Sequence, residues 1–119
     1  LHVGNGEDRG GNNVKIKWFY DNSNLHRIWD SEIIDSKQLS YSELSQMVDH
    51  SLETEQDILK STDLDVWVKE AMELRPQIYD IGGADNLSYE YMYKNWGTIK
   101  TQLHKGGIRL AAILNEIYG

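Results

Sequence analysis

Between Ser88 and Tyr118, apolar residues recur at three- and four-residue steps through Tyr89, Met92, Trp96, Ile99, Leu103, Leu110, Ile113, Leu114 and Ile117. That spacing is the period of an α-helix that buries one face, so the stretch is predicted to be a long helix against which other elements pack. Gly106-Gly107 within it predicts close packing or a kink. A second stripe, Leu64, Trp67, Ala71, Leu74 and Ile78, predicts another amphipathic helix. Thr62 followed three residues on by Asp65 resembles a capping box at its start, Pro76 predicts a bend, and Gly82-Gly83 ends it.

Strand character is confined to Val14-Lys15-Ile16-Lys17-Trp18-Phe19-Tyr20, which begins with apolar and basic residues in alternation. Val14, Ile16 and Trp18 are therefore predicted on the buried face. The Gly- and Asn-rich segment 1–12 reads as loop, and loop and strand together predict a small hairpin. Asp21-Asn22-Ser23-Asn24 offers helix caps before Leu25, Ile28, Trp29 and Ile33, predicting a helix over 24–35. From Ser42 to Lys60 the chain is helix-compatible, with two short helices predicted around Ser51. The fold class is mainly α: a helical domain with a small β-hairpin near the N-terminus.

At 119 residues and 39% hydrophobic content there is apolar material for one modest core and not for two. Residues 1–119 are accordingly read as one domain or part of one. No run approaches the roughly 20 apolar residues of a membrane span, so no membrane partner is expected. The chain has no cysteine, which excludes thiolate zinc sites and disulfides and leaves His, Asp and Glu as metal ligands. The formal net charge of −7 opposes non-specific binding to a phosphate backbone. A nucleic-acid enzyme of this charge needs positive charge from elsewhere, which bound divalent cations supply.

The informative pair is His26 and Asp30, four apart on a predicted helix and so on one face. This spacing suits two ligands of one metal, and it equally suits an exposed hydrogen-bonded pair. Catalytic zinc takes imidazole nitrogen and carboxylate oxygen, usually from three protein residues, with one position left open. His2 is a candidate third ligand, because the predicted hairpin returns the chain toward the helix that carries His26. Asp8 and Arg9 read as local loop charges, Gly10, Gly11 and Asn12 as turn formers, and Trp29 as an apolar anchor beside the two helix ligands. His50 and His104 have no ligand spacing around them and read as surface residues. Tyr89, Tyr91 and Tyr93 could stack on bases, yet on a helix they point in different directions, so at least part of the set reads as core or surface.

Four segments in order carry a resemblance: Leu1-His2-Val3-Gly4, Asp8-Arg9-Gly10-Gly11-Asn12, Trp18-Phe19, and Asn24-Leu25-His26-Arg27-Ile28-Trp29-Asp30. Together they resemble the single-strand-specific, zinc-dependent nucleases of the nuclease S-one/nuclease P-one family. Trp67-Val68-Lys69-Glu70-Ala71 and Gly107-Ile108-Arg109-Leu110-Ala111-Ala112-Ile113-Leu114-Asn115 agree more loosely with later segments of that family.

The resemblance implies the C-terminal part of a phospholipase C/P-one nuclease-like fold. It implies three zinc ions in a full-length enzyme, one of them held here by metal ligands His2, His26 and Asp30, with no further catalytic residue in this chain. Implied too are hydrolysis of single-stranded DNA or RNA to 5′-phosphate ends, removal of 3′-phosphates from nucleotides, and inactivity of this part alone. A secreted or periplasmic monomer, its signal peptide upstream of Leu1, completes that expectation. Absence of cysteine departs from the fungal and plant members and suggests a bacterial-type relative. Two other readings compete: a zinc phospholipase C-like phosphodiesterase, and a metal-free helical interaction domain.

Overall fold

The computed structural model describes residues 4–49 and 61–119. His2, His50 and the helix expected after Ser51 lie outside the described residues. The elements are β1 (Lys15–Trp18), β2 (Asp21–Asn24), α1 (Leu25–Arg27), a π-helical turn (Ile28–Glu32), α2 (Ile33–Ser36), α3 (Tyr41–Asp49), α4 (Leu64–Glu73), α5 (Arg75–Ile78), β3 (Asn86–Leu87) and α6 (Tyr89–Tyr118). The mainly helical class is as expected, and among the described residues no helix is long and apolar enough to cross a membrane.

Alternation in β1 works as predicted: Ile16 and Trp18 are buried, Val14 packs against the core, and Lys15 and Lys17 face solvent. The hairpin partner differs from the expectation. β1 pairs antiparallel with β2, Lys15 opposite Asn24 and Trp18 opposite Asp21, rather than with the glycine-rich segment. Asp21–Asn24 has little intrinsic strand propensity. Backbone pairing with β1 makes it a strand.

The two-residue turn between these strands places Phe19 and Tyr20 at φ 48° and 69°, a region that Asn and Gly usually occupy in hairpins. β3 stabilises it, pairing parallel with β1. Phe19 N donates to the Leu87 carbonyl at 2.9 Å and Tyr20 N to Asn86 Oδ1 at 2.6 Å. The Phe19 ring meets Trp18 and Tyr89 edge-on at centroid distances of 4.9 and 4.7 Å.

Asn24 ends β2 and also caps α1, its side-chain oxygen accepting from Arg27 N at 2.9 Å. Leu25, Ile28 and Ile33 are fully buried. The step from Ile28 to Ile33 is five residues, which in a regular α-helix would rotate the side chain by roughly 140° off the face. The π-helical turn removes that offset: Ile33 N bonds back five residues to the Ile28 carbonyl. One surplus residue is thereby absorbed without losing the buried stripe.

Ser40 and Glu43 form a reciprocal capping box at α3, through Ser40 N to Glu43 Oε2 at 2.8 Å and Glu43 N to Ser40 Oγ at 3.2 Å. The cap of α4 is Asp63, which accepts from Asp65 N at 2.9 Å. Thr62, expected in that role, donates instead to Glu116 at 3.1 Å. Pro76 breaks the second helix rather than bending it: α4 ends at Glu73, and α5 restarts with proline in its first turn, where its missing N–H costs nothing. α6 runs unbroken through Gly106-Gly107 without a kink, and among the described residues a Cβ at either glycine would meet nothing within 4 Å.

The core joins Ile16, Trp18, Leu25, Ile28, Ile33, Ile78, Leu87, Tyr91 and Ile99. Only the first part of the α6 stripe enters it; Leu110, Leu114 and Ile117 are exposed among the described residues. Farther along, Arg109 lies 5.6 Å from the Trp67 ring centroid, and its Nη2 is 2.7 Å from Glu70 Oε2. That approach falls outside hydrogen-bond angles, so charge and ring packing tie α4 to α6 here, together with Lys105 Nζ, which donates to the same Glu70 oxygen at 3.5 Å.

At the centre, the Tyr91 hydroxyl accepts from Trp29 Nε1 at 2.7 Å and donates to the Ile78 carbonyl at 2.6 Å. Beside it the fully buried Asn95 donates to the Tyr91 carbonyl and accepts from Gln77, both at 2.9 Å. Burial pushes the Tyr91 phenol up to about 12. A raised phenol favours the folded state below the ordinary value of 10.0, and that contribution is lost as pH rises through the folded value. Stability is therefore expected to decline between pH 10.0 and about 12. Tyr91→Phe leaves an indole N–H and a carbonyl without their partner. It is expected to lower unfolding free energy by about 1–3 kcal/mol in a denaturant titration and to remove one late-ionising phenol from the ultraviolet pH titration.

Candidate metal centre

The site begins with a cap. Because Asn24 fixes the start of α1, His26 falls in the first turn, half-buried against the Gly10-Gly11 turn. Its backbone N–H points to the Gly11 carbonyl at 3.4 Å, and its ring Nδ1 is 2.9 Å from the Gly10 carbonyl. A carbonyl only accepts, so Nδ1 carries the proton, and in the neutral ring the lone pair resides on Nε2. This tautomer is the one in which a histidine coordinates metal through Nε2.

Asp30 follows four residues later, exposed and inside the π-helical turn. Such turns inside α-helices occur frequently at functional sites. The other carboxylate of the turn, Glu32, is engaged, accepting from Ser23 Oγ at 2.7 Å and pairing with Arg27 Nε at 3.2 Å. Asp30 stands on the wall of a cleft of about 270 Å³ together with Gly4, Trp29, Ile34, Arg75 and Tyr79. Among the described residues no three His, Asp or Glu side chains are grouped as a metal would need. The structure thus keeps His26 and Asp30 on neighbouring turns of one helical segment, and their predicted companion His2 lies outside the described residues.

The loop behind His26 is built around one carboxylate. Asp8 Oδ1 accepts from Asn5 N at 3.1 Å and Gly11 N at 3.2 Å, while Oδ2 accepts from the Tyr79 hydroxyl. Asn13 N returns to the Asp8 carbonyl at 2.9 Å, and Asn12 Nδ2 bonds the Arg9 carbonyl at 2.8 Å. Gly4 is indispensable in this turn: its φ is 60°, and a Cβ there would sit 2.8 Å from Asp8 Oδ1 and 2.9 Å from Gly10 N. The Tyr79 hydroxyl, followed by the backbone N–H bonds, holds the Asp8 carboxyl below the usual aspartate range, burial opposing. Burial and the hydrogen bond to Asp8 push the Tyr79 phenol up to about 12.

Asp8 is therefore the hub of the loop and not the local charge expected of it. The signal available in sequence was an aspartate two residues before a glycine pair, the pattern by which a side-chain oxygen caps a turn. Tyr91 is core, as expected for part of its set, whereas Tyr89 and Tyr93 are exposed. His104 is half-buried and not part of any potential metal cluster among the described residues.

Residues 1–119 match the family described as S1/P1 Nuclease. The chain is 30% identical over 141 residues to Endonuclease 2 of Arabidopsis thaliana, covering 100% of this chain and 47% of that protein. It is 34% identical over 138 residues to Endonuclease 5 of the same plant, with 99% and 46% covered. Endonuclease 3 is likewise 34% identical, over 139 residues, with 99% and 46% covered. The chain thus spans about half the length of the curated relatives it matches.

A depressed aspartate favours the folded state above the ordinary value of 3.8, and this contribution is lost as pH falls through the lowered value. The amide proton shifts of Asn5 and Gly11 are expected to titrate together, with a midpoint below 3.8, and to stop titrating in Asp8→Asn. A midpoint at or above 3.8 would remove the carboxylate from the centre of the loop.

Proposed function

The chain belongs to the S1/P1 nuclease family, and on that premise we propose that it forms part of a zinc-dependent endonuclease. That enzyme hydrolyses phosphodiester bonds of single-stranded DNA and RNA to 5′-phosphate ends and removes 3′-phosphates from nucleotides. Three zinc ions serve it, one of them on His2, His26 and Asp30. It works as a secreted or periplasmic monomer.

The observation that carries this reading is the His26 imidazole, whose Nδ1–H is committed to the Gly10 carbonyl at 2.9 Å. A histidine oriented in this way presents Nε2 as a ligand, and Asp30 offers carboxylate oxygen from the next turn. Imidazole and carboxylate are a donor set that zinc accepts. His2, outside the described residues, enters this reading as the third ligand on the family resemblance of the Leu1-His2-Val3-Gly4 segment.

Zinc bound at this site supplies a Lewis acid for a phosphate oxygen. The chain's own part is to fix the donors. His2, His26 and Asp30 would hold the ion with two neutral imidazoles and one carboxylate, a donor set that would leave net positive charge to offset the −7 of the chain. Trp29 and Ile34 line the same cleft as Asp30 and give it an apolar wall, while Asp30 itself is exposed. Preference for single strands follows from the cost of unstacking a base, which paired bases pay in full.

Titration calorimetry with zinc on the purified chain is expected to give one bound ion, and none for the His26→Ala, Asp30→Ala double variant. Equal binding by the two proteins would remove these residues from the metal centre. The chain alone is expected not to cleave single-stranded DNA, since the relatives are about twice its length; zinc-dependent cleavage by it would overturn the need for further ions.

A further inference from the structure

The glycine-rich loop poses a physical problem that the metal site itself does not solve. Gly4, Gly6, Gly10 and Gly11 all have positive φ, from 60° to 88°, and Arg9 between them is at 57°. Glycines lose more conformational freedom on folding than any other residue, so local sequence does not by itself aim the Gly10 carbonyl. Yet that carbonyl is the acceptor for His26 Nδ1 at 2.9 Å.

The aim comes from Asp8. Its Oδ1 bridges the N–H groups of Asn5 and Gly11, on opposite sides of the turn, and Gly11 N belongs to the same peptide unit as the Gly10 carbonyl. Orienting one end of a planar peptide orients the other. Asp8 is anchored in turn by the Tyr79 hydroxyl. Tyr79 is the residue that ends α5, and its amide bonds the Arg75 carbonyl at 2.9 Å. The preceding Ile78 carbonyl is held by Tyr91 of α6 at 2.6 Å. An unbroken run of hydrogen bonds and covalent links therefore leads from the long helix to the ring of His26.

We infer that Asp8 and Tyr79 are positioning residues for the metal centre, which fix the Gly10 carbonyl and through it the tautomer and rotation of the His26 imidazole. The inference rests on the zinc reading for its consequence, because loss of a partner that orients a ligating histidine lowers metal affinity by roughly 10- to 100-fold. The geometry on which it stands is independent of any metal. A merely structural role for the pair would stabilise the loop while leaving the protonated nitrogen of His26 unchanged.

The test reads the imidazole directly, by nitrogen-15 spectra of the metal-free chain above the histidine titration range, beside zinc affinity by calorimetry. The parent chain is expected to show His26 protonated on Nδ1 alone. In Tyr79→Phe and Asp8→Ala the two ring nitrogens are expected to move toward averaged shifts, with zinc affinity down roughly 10- to 100-fold. Asp8→Asn keeps an oxygen for the Asn5 and Gly11 amides and is expected to restore the Nδ1–H pattern and most of the affinity. Unchanged His26 nitrogen shifts in folded Tyr79→Phe would overturn the inference, and that variant decides if Asp8→Ala does not fold. A parent chain that binds no zinc would sink the zinc reading, while the nitrogen spectra would still decide whether Asp8 and Tyr79 orient the ring.

Discussion

The Tyr91 hydroxyl is where three parts of the chain are made to agree. As acceptor it fixes the indole of Trp29, in the π-helical turn that carries Asp30; as donor it fixes the Ile78 carbonyl at the end of α5. A phenol in an apolar core is costly unless both of its roles are filled, and here both are. Phenylalanine would fill the same volume but set no distance between these segments. Because the bonds are directional, the helical segment bearing His26 and Asp30 sits at one rotation about α6 and not at a neighbouring one.

From that fixed point the site is assembled by apolar burial and polar groups together. Leu25, Ile28 and Ile33 put one face of the helical segment into the core, which leaves His26 and Asp30 outside it together with Arg27, Ser31 and Glu32. Packing decides which way that face points. At His26, the carbonyl of a glycine turn decides which imidazole nitrogen is protonated. The chemistry of the site thus depends on backbone atoms that no substitution at His26 or Asp30 would reveal.

Much of this was legible in sequence because it follows from period and composition. Alternation named Ile16 and Trp18 as core, three- and four-residue steps named α4 and α6, and Asn24 stood as a cap with the right offset to Arg27. What escaped was set by partners distant in the chain. Asp21–Asn24 is polar and loop-like in isolation, and becomes a strand through β1. Asp8 reads as a solvated charge until Tyr79, 71 residues later, donates to it. Asp63 and Thr62 are both competent caps, and only the distant Glu116 shows which of them is otherwise occupied. The five-residue step from Ile28 to Ile33 was visible, but period alone does not say whether a helix ends there or widens. For the candidate site, sequence singled out His26 and Asp30, and the structure supplied the reason the His26 ring is oriented.

The Phe19-Tyr20 turn carries a consequence for the order of events in folding. A two-residue hairpin ordinarily closes within about 1–10 μs, because its turn residues favour the required backbone by themselves. Here two aromatic residues occupy left-handed conformations, and the groups that stabilise them, Asn86 Oδ1 and the Leu87 carbonyl, arrive from a segment 66 residues farther along. Loop closure of that length is an entropic cost met before the contacts reward it. The hairpin is therefore expected to form late, in the same step that brings β3 alongside β1, and to report the arrival of the C-terminal half instead of nucleating it.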